Sequence, residues 1–242
     1  MFYFDNIGDK KIMKSTVLDG LEHFFTTRES LIKTKEIDKT KLAKNNREFF
    51  CKYLNVDNII SPKQTHSSNV RIVSKGMNEY DDTDGLILTS AGAIALNFAD
   101  CTPLIFYDGE TAAISHAGWR GTALKISHVT LDIMINELNS DIKNIKCAIG
   151  PAISMCCYNV QEDVAQKLLS TVKNFDNLYE KRNNNIYVDL KNINRQQVIE
   201  YGINQNNIDV CPYCTVCNND LFYSYRKENG VTNRHSAVVC IK

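Results

Sequence analysis

Cys101 and His116 stand fifteen residues apart on either side of a turn signal, and His66 lies thirty-five residues before Cys101. Two imidazoles and a thiolate are suitable zinc ligands, and a set of three leaves a fourth coordination position for water or substrate, as a catalytic metal centre requires. The spacing matches no zinc-finger pattern, so the fold has to bring the three together. Residues 99–122 suggest how. Pro103, Leu104, Ile105, Phe106 and Tyr107 form an apolar strand, Asp108-Gly109 marks a hairpin turn, and Ala112, Ala113 and Ile114 return toward His116. Folding that hairpin sets the thiol beside the imidazole. Gly118 and Gly121 flank Trp119 and Arg120, so the backbone can approach a ligand where a helix begins. Gly118, Arg120, Gly121 and Thr122 are thus a candidate anion cradle beside the metal ligands.

The rest of the chain supplies the scaffold. Residues 1–28 read as short strands, and residues 29–44 as a polar, solvated loop leading into a helix that starts near Asp38 and runs through Phe49, Phe50, Tyr53 and Leu54. Alternation at Val70 and Ile72 predicts a half-buried strand after His66, which places that ring at a strand mouth. Asp84-Gly85 reads as a turn before a short apolar strand, and residues 93–98 as a buried strand feeding into Cys101. From Thr122 the apolar residues Ala123, Ile126, Val129, Ile133, Met134 and Leu138 recur at helical spacing, predicting one long amphipathic helix. Residues 145–149 form another strand, stopped by Gly150-Pro151, and residues 161–172 a helix. Asn183 to Asn185 mark an exposed loop, Asp189 caps a helix that Gly202 ends, and residues 208–210 and 236–241 are closing strands. Strands in hairpins interleaved with a few helices predict an α+β fold, a mixed α/β sandwich forming a single domain over residues 1–242.

Composition limits the function classes. With 43% hydrophobic residues and 23% charged, the chain is an ordinary globular protein. Its 28 basic and 28 acidic residues balance, which argues against nucleic acid or an anionic membrane as partner. Asp5 and Asp9 interrupt what a signal peptide would need, and no segment has the apolar length of a membrane span, so a cytoplasmic location is expected. Nine cysteines in such a chain read as reduced thiols. Cys211, Cys214 and Cys217 form CPYCTVC, but a zinc ribbon needs a second pair and a thioredoxin-like motif belongs early in the chain, so packing or pocket lining is expected there. Cys156 and Cys157 are expected to be buried thiols, and His235 is not expected to complete a cysteine-rich site.

The motifs QTHS, DGLILT, NFADCTPLIFYD, SHAGWRGT, GPAISMCCYNV and CTVCNNDLFYSYRKENGVTNR, in this order, resemble the YfiH-like family, once labelled polyphenol oxidase or laccase-domain proteins. The resemblance extends from Phe24 to the last strand. Glu29, Ser30 and Leu31 replace the family's Gly-rich continuation, and Thr232, Asn233, Arg234 its Thr-Gly-Arg. The resemblance implies a zinc site on His66, Cys101 and His116, and purine nucleoside phosphorylase activity with accompanying adenosine deamination. Phosphorolysis needs phosphate in line with the ribose anomeric carbon, charge stabilisation as the glycosidic bond loosens, and a proton for the departing purine. Arg120 and Arg226 are candidate phosphate ligands, and Gln64 joins the substrate contacts. Phe222, Tyr223 and Tyr225 are candidates to stack on the base. Deamination would draw on water whose pKa zinc lowers to about 7, with Asp84 or Asp100 moving the proton.

Two other readings compete. A metal-free cysteine hydrolase would use Cys101 activated by His116, and a non-catalytic protein would only bind a metal or nucleoside. A multicopper oxidase is disfavoured, because five histidines, two already assigned, are too few for a trinuclear cluster.

Overall fold

Alternating apolar residues at the start of the chain pair as antiparallel strands, β1 (Phe2–Ile7), β2 (Lys10–Ser15) and β3 (Glu22–Thr26). The computed structural model describes residues 1–33, 39–74, 76–77, 79–230 and 233–242. The sheet that these strands begin is completed by β15 (His235–Ile241), β7 (Gly92–Phe98) and β4 (Ile59–Ile60), in the order β1-β2-β3-β15-β7-β4. The last strand lies between β3 and β7, antiparallel to both, so the end of the chain closes the sheet opened by its beginning.

The second sheet contains the hairpin expected from the sequence. Strand β8 (Thr102–Tyr107) pairs with β9 (Ala112–Ala117), Pro103 opposite His116. Around it lie β5 (Val70–Ile72), β6 (Gly85–Leu88), β10 (Lys146–Ile149) and β14 (Ile208–Val210), in the order β14-β10-β8-β9-β6-β5.

Period-two alternation assigns each strand's side chains to two layers. Phe25, Leu96, Phe98 and Val239 from the first sheet meet Leu86, Ile105, Ile114 and Ala148 from the second. On the outer face of the first sheet, Phe24 and Val238 pack on Phe50 and Leu54 of α1 (Thr40–Leu54). On the outer face of the second, Ile87, Leu104 and Phe106 pack on α3 (Ile126–Asp132) and α5 (Leu190–Tyr201). The result is a mixed α/β sandwich, layered helix, sheet, sheet, helix. A small sheet of β11 (Asn159–Val160), β12 (Tyr179–Arg182) and β13 (Asn185–Val188) packs with α4 (Glu162–Leu169) at one end. Among the described residues no helix is long and apolar enough to cross a membrane.

Several expectations are corrected. The turn lies at Asp81 and Asp82, and Gly85 is the first residue of β6. A Cβ there would sit 2.8 Å from Val70 Cγ2 on the neighbouring parallel strand, so the glycine serves close packing. The long helix begins earlier, as α2 (Trp119–Ala123), and breaks at Lys125, whose φ is 53°. Gln197 Nε2 takes the Thr122 carbonyl there, and after the break the helix runs on as α3 and a π-type turn at Ile133–Glu137. The Asn-rich stretch is exposed as expected, Asn183 and Asn184 forming the two-residue turn that joins β12 to β13, both at positive φ. The loop after Arg28 is not solvated throughout: Ser30 and Leu31 are fully buried, and Asn46 of α1 donates to the Glu29 and Leu31 carbonyls. The expected helix start at Asp38 lies outside the described residues, as does Thr232.

Candidate metal centre and active site

The chain passes from the first sheet to the second at one end of the sandwich, and two of the predicted ligands, His66 and Cys101, sit at those crossings. His66 lies on the loop from β4 to β5, and Cys101 on the three-residue step from β7 to β8. His116 is the penultimate residue of β9. Their ligand atoms all lie within 4.8 Å of one another. The His66 and His116 rings meet edge to face at 4.9 Å, and Phe98 backs His116 at 5.2 Å. A Cβ on Gly118 would lie 2.9 Å from Cys101 Sγ and 3.3 Å from His66 Cδ2, so this glycine leaves room for the donors. Two imidazoles and a thiolate converging from separate elements fit a zinc ion with one position left open.

Asp84 organises this arrangement. Fully buried, its carboxylate accepts the N–H groups of Thr65 (3.1 Å), His66 (3.1 Å) and Ser67 (2.7 Å) and the Ser67 hydroxyl (2.8 Å). It also holds His116 Nδ1 at 2.7 Å, which leaves Nε2 for the shared site. Burial opposes its ionisation, but the bond to His116 and those from Ser67 prevail and keep the carboxyl well below the usual range. A carboxylate held this way fixes a ligand's tautomer and orientation, and it carries no proton near neutrality. Asp84 is therefore not the turn former expected from the sequence.

Charge balance couples the donors. Burial alone would raise the Cys101 thiol, yet the His116 charge and hydrogen bonds from His116 and His66 bring it down to about 6. Burial would likewise lower His116, but the Cys101 thiolate and Asp84 raise it to about 9. Each charge thus favours the other.

The remaining predicted residues divide. Asp100, at φ 84°, accepts from Thr215 Oγ1 and from the Arg226 N–H, each at 2.6 Å, so its side chain ties two distant loops to the Cys101 step. Arg120 is exposed, its guanidinium 4.5 Å over the Trp119 ring. Arg226 is exposed as well and donates to Asn159 Oδ1 at 2.6 Å. Gln64 bridges both backbone groups of Asn97, each at 2.9 Å, which pins the His66 loop to β7. Thr122 is fully buried and receives Asn194 Nδ2 at 3.0 Å; Gly121 is packed so closely that a Cβ would lie 2.9 Å from the His116 carbonyl. Both shape the interior of a five-residue helix rather than the face of a ligand cradle. Phe222 and Tyr223 are core residues and only Tyr225 is exposed, which removes two of the three aromatics expected to stack. His235 is sealed between Phe98 and Phe222, where burial pushes it down to about 3.

A cavity of about 310 Å³ lies beside these groups, lined by Trp119, Tyr158, Asn159, Val164 and Arg226. Its wall includes two residues missed from the sequence, Tyr158 and Asn159. Their signal was the CCYNV run, where the paired cysteines drew attention from the residues following them. A larger depression of about 470 Å³, near Gly20, Tyr107 and Glu110, lies at the far end of the β8–β9 hairpin from the donors. Among the five histidines only His66 and His116 share a site, since His23 bonds Ser15 N and Leu21 O and His128 faces the Gln197 carbonyl.

A family profile described as multi-copper polyphenol oxidoreductase laccase matches residues 25–242. The purine nucleoside phosphorylase YlmD of Bacillus subtilis is 31% identical over 220 residues, 85% of this chain and 79% of that protein. An adenosine deaminase, RL5, from an unknown prokaryotic organism is 27% identical over 188 residues, 72% of this chain and 71% of its own. The crystal structure of a Bacillus licheniformis protein, YfiH, superimposes with a TM-score of 0.90 at 28% identity over 99% of each chain. YlmD from Geobacillus stearothermophilus does so with 0.88 at 26%, over 99% of this chain and 98% of that one.

Proposed function

The chain belongs to the YfiH-like, laccase-domain family, and from that premise we propose that it is a zinc-dependent purine nucleoside phosphorylase with accompanying adenosine deaminase activity. The observation that carries the reading is the convergence of His66, Cys101 and His116, with one buried carboxylate bonded to the His116 ring and to the backbone of His66. Relatives named for phosphorolysis and for deamination of nucleosides support the choice of substrate class. The substrates are small molecules, purine nucleosides and phosphate, handled in the cytoplasm without nucleic acid or membrane, and residues 1–242 act as one domain.

A zinc ion held by His66, Cys101 and His116 would supply Lewis acidity and a water nucleophile near neutral pH. The protein's own groups do the rest. Trp119 and Tyr158 offer faces for the purine. Arg120 and Arg226, both exposed at this end of the sandwich, hold phosphate by guanidinium geometry. An oxygen of hydrogen phosphate forms a bond to the anomeric carbon as the glycosidic bond breaks, and the bonding pair leaves with the purine, which takes up a proton in place of the one the phosphate gives up on becoming the ester. Asp100 holds the Arg226 backbone, so the second arginine is positioned from the residue preceding Cys101. Asp84 keeps His116 oriented throughout.

The lowered Cys101 thiol favours a second reading, a cysteine hydrolase with His116 as its base. The first reading is tested by incubating the zinc-loaded protein with adenosine and inosine, with and without phosphate, and identifying every product; stoichiometric zinc that shields Cys101 from alkylation overturns the second. Free base with ribose 1-phosphate, formed only with phosphate, is expected, as is phosphate-independent inosine from adenosine. No base from either nucleoside with phosphate present overturns the phosphorylase. His116→Ala is expected to lower turnover at least about a thousandfold.

A further inference from the structure

Four cysteines outside this centre also converge. Cys156 and Cys157 follow the Gly150-Pro151 break after β10, and Cys214 and Cys217 follow β14. A parallel bridge pairs Ala152 with Cys214, and the Thr215 N–H donates to the Ala152 carbonyl at 3.1 Å, so the two loops run side by side. All four sulfurs lie within 4.8 Å of one another, Cys217 Sγ being 3.7 Å from Cys156 Sγ and 3.5 Å from Cys157 Sγ.

These separations are far longer than the roughly 2.05 Å of a disulfide. They match the edge of a tetrahedron of sulfurs about 2.3 Å from a central metal, which is about 3.8 Å. A cubane cluster sets each thiolate on a different iron and spreads the sulfurs wider. We infer that Cys156, Cys157, Cys214 and Cys217 form a second metal site, a mononuclear tetrathiolate centre for zinc.

The surroundings suit a tetrathiolate, whose net charge is negative by two. Ser154 N–H donates to Cys214 Sγ at 3.4 Å, a contact of the kind that steadies a ligand from outside the coordination sphere. Lys191, almost fully buried, donates to the Cys211 and Tyr213 carbonyls, at 2.6 and 3.1 Å, and so ties α5 to the loop that carries Cys214. Arg182 donates to the Cys156 carbonyl at 3.3 Å. Ordinary packing does not account for the cluster, since Cys156 and Cys217 are exposed. Cys211 stays outside it, fully buried against Met13 sulfur at 4.0 Å. Binding displaces the protons of the thiols, so affinity falls as pH falls. With all four positions filled by protein the centre is structural. It staples the loop leading to Tyr158 and Asn159 to the loop leading to Thr215 and Arg226, both of which reach Asp100 or the cavity.

The test is native mass spectrometry of the full chain loaded with zinc. Cys214→Ser/Cys217→Ser is expected to hold one zinc fewer than the unsubstituted protein, whatever His66, Cys101 and His116 bind, and His116→Ala is expected to keep this ion. Cobalt(II)-loaded His116→Ala should show the intense visible and thiolate charge-transfer bands of a tetrahedral cobalt tetrathiolate. A second measurement needs no variant: zinc should slow alkylation of the exposed Cys156 and Cys217 at least about tenfold, read by peptide mapping. Equal zinc content in the double variant, alkylation unaffected by zinc, or a disulfide within the four in zinc-loaded protein overturns the inference.

Discussion

The two donor clusters of this chain are built on opposite principles. His66 and Cys101 come from crossings between two packed sheets and His116 from the end of a strand beside them, and one buried carboxylate both orients a ligand and clamps the loop that carries another. Cys156, Cys157, Cys214 and Cys217 come from adjoining loops, and a backbone N–H, that of Ser154, reaches one of their sulfurs in place of a carboxylate. The first arrangement has three donors and an open side, as chemistry requires; the second is a closed set of four. A protein that must hold a reactive ion in place ties its ligands to rigid sheets. One that needs only to fasten two loops can place them at the surface.

The largest difference between the clusters concerns their thiols in metal-free protein. The His116 charge brings Cys101 down to about 6, whereas burial and its neighbour Cys214 push Cys156 up to about 11. At pH 7 the thiolate fractions then differ by about ten-thousand-fold, partly offset by the lower intrinsic nucleophilicity of the more acidic thiol. Alkylation of Cys101 should rise with pH and level off above about 7, while that of Cys156 climbs through the alkaline range. Exposure alone ranks them the other way, because Cys156 is exposed and Cys101 only half so. A faster Cys156 at pH 7 would break the comparison.

The same contrast explains what the sequence disclosed. The β8–β9 hairpin was legible because its turn, its two apolar runs and both ligands lie within a few residues of one another, and local alternation carries that information. His66 was reachable as a residue at a strand mouth. Asp84 was misread because Asp-Gly is a strong turn signal, and only the packing of Val70 against Gly85 reveals a strand there. The break at Lys125 was hidden because the apolar spacing continues across it, while Gln197, which donates to the Thr122 carbonyl freed there, lies on a distant helix. The cysteine cluster was illegible because a vicinal pair and a CxxC pair 58 residues apart become one site only when two loops are bridged at Ala152 and Cys214.

Asp84→Asn sharpens the comparison at its centre. Both carboxylate oxygens receive N–H donors, one from His66 and His116, the other from Thr65 and Ser67, so an amide NH2 faces a donor in either orientation. Zinc affinity at the His66 site should fall about 10- to 100-fold, with the zinc count at the cysteine cluster unchanged. Stability should fall by about 2 kcal/mol, as expected for unmatched buried polar groups. The carboxyl is held below its unfolded value, so its contribution is present above that value and is lost as pH falls through the folded one; the variant's unfolding should lack this acid-side loss. Unchanged zinc affinity would mean that His116 is oriented by the strand alone.

Gly118→Ala has the smallest expected effect and the cleanest geometry. Gly118 sits at φ −68° and ψ 177°, which any residue adopts, so alanine imposes no backbone strain and should reduce the freedom of the unfolded chain. What it adds is a methyl 2.9 Å from Cys101 Sγ and 3.3 Å from His66 Cδ2, two of the three donors. The sulfur must move by several tenths of an ångström, a displacement that a zinc site with fixed ligand distances resists. We expect thermal stability within about 1 kcal/mol of the unsubstituted protein, zinc affinity at this site reduced by about tenfold or less, and no change at the cysteine cluster. Calorimetric zinc titration beside a melting curve separates these effects. If stability and affinity fell together, the space beside Cys101 would belong to the packing of the fold rather than to the ligands.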